Sequence, residues 1–565
     1  MKKNFFQRTI FVSVFLQLLS CYSIVSAQDK LATILQDEVN REFSVLKKQQ
    51  VPVYYISYRV DDVNGYGATA QFGSLINSDS YKSRVLTINL RVGTPTLDNS
   101  HPVRDSQGSF GYGRIELPAE DNADAVKNIV WKATNDAYLD AVSKFSKVKA
   151  NVTVKVDEED KAADFTIGTP VVYEESPIKI ESLKFDVKEW EKRLKKYSAE
   201  FLKDSAIFSG NSGLDMKVTR KYFISTNGDK IIQNLSSTNL SVAGNIKAKD
   251  GMELPLYKSF AAFRPDGLPS DKEMMKLTEE LVQNLVALKN APVAEPFSGP
   301  ALLSATASGV FFHEIFGHRV EGQRMKNEND AQTFKKKVGE VILPKMLSVY
   351  CDPLQKTYHG IELNGYYQYD DEGTKAERVN IVENGVLKNF LMSRSPIKGF
   401  ANSNGHGRAQ AGMQPVSRQS NLVIETSERK TTADLRAELI RLTKEQKLQY
   451  GYLFQEVTGG FTTTGRFMPS AFNVMPTLVY RVYVDGRPDE IVRGVDLIGT
   501  PLAMFSQIDM AGGEKGVFNG TCGAESGGVP VSCCSPMFLV KMIETQKKGK
   551  SQERPYILPR PTENN

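Results

Sequence analysis

The chain has 565 residues, more than one hydrophobic core can organise, so two to four folding units are expected. Hydrophobic residues at 41%, charged residues at 24% and 42 glycines exclude a disordered or collagen-like polymer. A net charge of +5, from 71 basic and 66 acidic residues with no basic tail, gives no support to nucleic-acid binding. Five cysteines are too few for a disulfide scaffold, and five histidines are few enough that any cluster of them stands out.

The N-terminus reads as an export signal over residues 1–27. Lys2, Lys3 and Arg8 precede an apolar stretch at 10–19 that is short for a bilayer span, and Val25-Ser26-Ala27 offers a cleavage site before Gln28. Leu18-Leu19-Ser20-Cys21 allows a second reading, a lipobox that would anchor the protein through Cys21. No later stretch is apolar enough for a transmembrane helix. A periplasmic or extracellular location is therefore expected.

Residues 28–295 read as an N-terminal α/β domain. Leu31, Ile34, Leu35, Val39, Phe43 and Leu46 recur at helical spacing over 30–48, and further helices are predicted at 121–147, 187–203 and 270–289. Strands are predicted at 53–60, 85–92 and within 216–256. The acidic run at 157–160 reads as a solvated loop.

Beyond Pro296 the pattern changes to strands and turns, apart from helices predicted at 303–321 and 431–446. Asn384-Gly385 and Asp485-Gly486 mark hairpins. Residues 296–565 are expected to form an antiparallel, partly barrel-like β-rich domain, making the whole chain α+β.

Two histidines lie five residues apart in HEIFGHRVEG at 313–322, with Glu314 directly after the first. Imidazole and thiolate are preferred zinc ligands, and an adjacent carboxylate can serve as a base toward water. On an ideal helix a spacing of five places the two side chains about 140° apart, against about 40° for a spacing of four. His313 and His318 can share an ion only if the backbone departs from α-helix, through a π-bulge or a helix end. A locally wide turn is expected at 316–318, with Gly317 permitting it. The remaining ligand is sought in the glycine-rich loop around Cys522; three protein donors would leave a zinc ion one open position.

The runs HEIFGHRVEG, YDDEGT at 369–374, ENGVLKNFL at 383–391, GHGR at 405–408, VRGVDLIGTP at 492–501 and GTCGAESGGVPV at 520–531 occur in an order that resembles the TldD/PmbA family of metallopeptidases. With both histidines intact, the chain looks like the active, TldD-like member. The resemblance implies a zinc peptidase with one Zn2+ per chain, held by His313, His318 and Cys522, and Glu314 as general base. It also implies a dimer, either with itself or with a family paralogue, acting on extended or unfolded peptides. Family members are commonly cytoplasmic, and this N-terminal half looks expanded around 60–120 and 150–215.

Glu321 could orient a ligand histidine, serve as a fourth ligand, or be a surface acid. His406 is a candidate for lining the substrate path or donating to an oxyanion, and Arg408 for binding a substrate carboxylate, against an ordinary structural role. His101 and His359 read as surface residues, Cys533 and Cys534 as buried thiols and Cys351 as a core residue, with a disulfide between Cys351 and one of that pair left open. The segment from Gly459 to Gly465 reads as strand and turn. A rival function is a non-catalytic, zinc-stabilised peptide-binding or scaffold subunit, and a third is a small-molecule amidase.

Overall fold

A computed structural model describes residues 29–103, 113–152, 160–465 and 472–549. The export-signal reading, including Cys21 and Gln28, lies outside the described residues, as do residues 157–159 of the acidic run. The run's last member, Asp160, is not solvated: it is buried, and its carboxylate accepts the backbone N–H groups of Ala162 and Lys398 at 2.9 and 3.0 Å.

The N-terminal part is built on a sheet whose long strands run Val53–Gln71, Ser74–Thr94, Ile207–Ser225, Lys230–Lys247 and Glu253–Ala262. All pair antiparallel, in the order 74–94, 53–71, 207–225, 230–247, 253–262. The first two strands extend well past the predicted 53–60 and 85–92. The outer half of 74–94 is mostly polar and that of 53–71 buries only Tyr66, Ala68 and Ala70 among its apolar side chains, so the apolar alternation is weak. The two are joined through Phe72 and Gly73, both with positive φ (47° and 83°). Phenylalanine is an unusual residue in such a turn.

Four helices cover one face of this sheet: Lys30–Leu46, Ala123–Val152, Val187–Ala199 and Asp271–Asn290. The first two pack on Val53, Ile56, Tyr58, Val60, Leu86, Ile88 and Leu90, and the other two on Leu214, Met216, Leu240 and Val242. The predicted 187–203 helix tightens to 3-10 geometry at Glu200–Lys203. Alternation then turns Arg59, Asp61, Lys221 and Gln233 toward the C-terminal part. Arg59 donates to the carbonyl of Gln410 at 2.8 Å, Gln233 to that of Tyr369 at 2.7 Å, and Lys221 pairs with Asp371.

The C-terminal part closes on itself. Strand Phe297–Leu303 pairs parallel with Tyr450–Thr462. The ring continues antiparallel through Phe472–Tyr483, Val495–Gly499 and Gly527–Lys547, which returns to Phe297–Leu303. The last strand also pairs parallel with Asn421–Thr426, which leads on to Leu347–Cys351 and Val379–Glu383. Among the strands the antiparallel expectation thus holds apart from these two parallel pairs; Glu321 with Leu391 and Lys430 with Gly512 add isolated parallel bridges. Asn384 and Gly385 form the expected hairpin turn, with φ of 48° and 82°.

Helix Ala305–Ile315 leaves the first ring strand directly, capped by the Ser304 hydroxyl, which accepts from the N–H of Ala307 at 3.1 Å. Every residue of it except Thr306 is buried, as suits a helix apolar on all sides. Phe311 packs on Phe472 and Phe312 on Phe538, with ring centroids 5.5 and 5.4 Å apart, locking the helix against two ring strands.

Candidate metal centre

The helix predicted over 303–321 stops at Ile315. Residues Gly317–Val320 continue as a 3-10 turn, so the backbone tightens where a wide turn was expected. The result still brings the rings of His313 and His318 to 5.0 Å between centroids, edge to face. Gly317 does not serve by adopting positive φ. A Cβ there would lie 1.9 Å from Oε1 of the fully buried Gln419, so its role is to permit close approach. Arg319 caps the broken helix end, donating to the carbonyls of Glu314 and Ile315 at 2.7 and 3.2 Å.

Cys522 lies near the tip of the hairpin formed by Ile508–Ala524 and Gly527–Lys547. Its Sγ is 3.2 Å from Nε2 of His313 and 3.4 Å from Nε2 of His318. The three donor atoms lie within 4.8 Å of one another, the one such group of three or more His, Cys, Asp or Glu side chains among the described residues. Zinc–sulfur and zinc–nitrogen bonds of about 2.3 and 2.05 Å at a tetrahedral angle would separate sulfur from nitrogen by roughly 3.6 Å. The donor set fits such an ion in type and spacing.

The electrostatics agree. Burial alone would raise the Cys522 thiol, but His318 and His313 overcome it and hold the thiol well below its ordinary range. The other described cysteines lack such partners and are free, buried thiols. Burial pushes Cys351 up to about 11, Cys534 up to about 12 and Cys533 well above its usual value.

Glu321 is not a surface acid but wholly buried. Its Oε2 meets Nδ1 of His318 at 3.1 Å, on the opposite side of the ring from the nitrogen that faces Cys522, and accepts from Nε of Arg324 at 2.9 Å. Although burial opposes ionisation, His318 and Arg324 bring its carboxyl down to about 2. Carboxylate-to-histidine contacts of this kind fix the ring and its tautomer.

Glu314 is buried, and that burial raises its carboxyl above the ordinary range. With His313, His318 and Cys522 it lines a cavity of about 310 Å³ walled on the far side by Thr458–Thr462. Gly460 lets that strand approach: a Cβ there would be 2.7 Å from Cγ of Glu314. The strand part of the segment from Gly459 to Gly465 is thus present through Thr462, and Gly465 bridges Asp330. A second cleft of about 1230 Å³ shares Thr458, Phe518 and Thr521 with the first and runs between the C-terminal part and the polar face of the N-terminal sheet.

The other candidates lie elsewhere. His406 is wholly buried, with Nδ1 at 3.1 Å from both the carbonyl and the side-chain oxygen of Asn404. Arg408 is buried over the ring of Tyr367, donates to the carbonyl of Gln419 and reaches the larger cleft. His359 is exposed as expected. His101 is not a surface residue: its Nδ1 sits 2.8 Å from Asp164, with 11% of the side chain exposed. Sequence reasoning missed residues 417–421, a wholly buried polar run (Ser417, Arg418, Gln419, Ser420, Asn421) that resembles an ordinary loop in the sequence.

All three donors fall in residues 297–547, which match the family described as PmbA/TldA metallopeptidase C-terminal domain. These likenesses support the TldD/PmbA family. Over 264 residues the chain is 30% identical to a metalloprotease of Archaeoglobus fulgidus, covering 46% of this chain and 56% of that one. It is 24% identical over 335 residues to a zinc metalloprotease TldD homolog of Saccharolobus solfataricus, covering 58% and 69%. The chain spans about half the length of the first curated relatives it matches, 56% and 47%. In fold it is similar to TldE from Thermococcus kodakarensis, with a TM-score of 0.61 and 14% identity over 92% of this chain and 100% of that one.

Proposed function

We propose that this chain is a zinc-dependent peptidase, a TldD-like member of the TldD/PmbA family that acts outside the cytoplasm. The observation that carries the reading is the convergence of His313, His318 and Cys522 on one point beside the buried carboxyl of Glu314. His313, His318 and Cys522 would hold the ion. Zinc held there supplies Lewis acidity and makes water a stronger acid.

Glu314 takes the proton of the attacking water at its carboxylate, which its raised pKa makes a better base, and passes it to the departing amine. Glu321 keeps the His318 ring aligned throughout. The strand Tyr450–Thr462 passes the cavity and offers backbone groups against which an extended peptide could lie, and the adjoining cleft gives such a chain room to continue. Dimerisation, with itself or with a paralogue, is part of the proposal.

The test is zinc analysis together with digestion of an unfolded protein, on wild type and Glu314→Gln, with small amides assayed alongside. The variant should retain its zinc and lose about 10²–10⁴ in kcat/KM. Activity near wild type removes Glu314 from this role; a zinc-loaded wild type inert toward both peptides and amides favours the scaffold reading.

A further inference from the structure

Arg418 is fully buried and lies outside every motif that marks the site. Its Nη1 donates to the Ser526 hydroxyl at 2.8 Å and to the Gly527 carbonyl at 2.9 Å, and its Nη2 to the carbonyl of Cys522 at 2.6 Å. One guanidinium thus grips the hairpin tip and the backbone of the sulfur-bearing residue.

Its Nε faces Oε1 of Glu321 at 3.6 Å, and neither atom has a hydrogen-bond partner among the described residues. The other oxygen of Glu321 holds His318. Arg418 therefore stands between Cys522 and His318, donors 204 residues apart in the chain, reaching one through its carbonyl and the other through its carboxylate.

Arg418 is itself fixed: its N–H donates to the His406 carbonyl at 2.9 Å, and the next carbonyl, that of Gln419, accepts from Arg408. A residue that merely closed the hairpin would have no need to bury a full positive charge facing Glu321. Such burial is costly unless the charge is paired and hydrogen-bonded. The planar fork of arginine can serve both directions at once; a lysine ammonium cannot reproduce it.

We infer that Arg418 is a positioning residue that sets Cys522 against His318, so that sulfur and imidazole meet at the separation one ion requires. The inference rests on the metal reading above. It is tested by titrating the metal-free protein with Co2+ and following the thiolate-to-cobalt absorption band, in wild type, Arg418→Lys, Arg418→Met, Glu321→Gln and the Arg418→Lys/Glu321→Gln double variant.

Wild type should take up one Co2+ with a thiolate band. Arg418→Lys should bind it about 10–100-fold more weakly, with a displaced band, while the metal-free variant keeps the wild-type far-UV circular dichroism spectrum. The double variant should lose less than the product of the two single losses, because both act through one contact chain. If Arg418→Met does not fold, Arg418→Lys decides. Wild-type affinity and an unmoved band in Arg418→Lys overturn the inference. A wild type that takes up no cobalt overturns the metal reading itself.

Discussion

His406 should make the protein sensitive to acid. The side chain is wholly buried, and that burial, with the nearby charge of Arg408 adding to it, holds its pKa down to about 3. In the unfolded chain a histidine titrates near 6.5. The unfolded chain therefore takes up a proton that the folded chain refuses, and the stability held by the neutral ring is complete above about pH 6.5 and drains away as the pH falls toward 3. A one-proton difference costs about 1.4 kcal/mol per pH unit, so between pH 7 and pH 5 the loss comes to about 2 kcal/mol. His406→Gln keeps an N–H donor for Asn404 but cannot acquire charge. Urea unfolding followed by far-UV circular dichroism at the two pH values should show wild type losing about 2 kcal/mol more than the variant. Parallel losses in the two proteins would refute the reasoning.

Gly317→Ala places a Cβ 1.9 Å from Oε1 of Gln419, so the turn carrying His318 must shift. Metal affinity should fall about tenfold or more, and adding Gln419→Ala should restore it; a double variant no better than the single one counts against the close-approach account. Gly460→Ala puts a Cβ 2.7 Å from Cγ of Glu314 and 2.8 Å from the carbonyl oxygen of Asn473. It should retain zinc while kcat/KM drops at least about tenfold, and undiminished turnover would show that Glu314 does not depend on that strand. Chelation should lower the thermal midpoint of wild type more than that of Cys522→Ser, since an ion held by all three donors would join segments far apart in the chain. Equal shifts would mean that the sulfur is not a donor.

Local signals carried much of the fold. Capping boxes at Ser270/Glu273 and Thr431/Asp434 start helices close to where spacing predicted them, and Asn384-Gly385 makes its turn. The outer halves of the first hairpin escaped notice because 74–83 is mostly polar on both faces, while on 62–70 the face that buries Tyr66, Ala68 and Ala70 begins with Asp62 and Asn64, too weak an alternation to identify a strand. Barrel-like closure was expected, but not which strands make it: nothing near Phe297 announces a partner at Thr545. At the site, His313, Glu314 and His318 stand together in the sequence, and the family resemblance brings in Cys522. Arg418 and Gln419 could not be found this way. Their importance comes from being buried against Cys522, Glu321 and Gly317, and burial of a polar run is a property of the folded molecule.

The ring also sets a timetable for synthesis. Its first strand, Phe297–Leu303, must wait for Gly527–Lys547 before it acquires its second neighbour, and the sulfur of Cys522 arrives 209 positions after the imidazole of His313. A nascent chain emerging from the ribosome carries both histidines long before it carries the sulfur. On the function proposed above, a centre that can be completed only once the barrel's last staves are made would stay inert while its own chain is still unfolded.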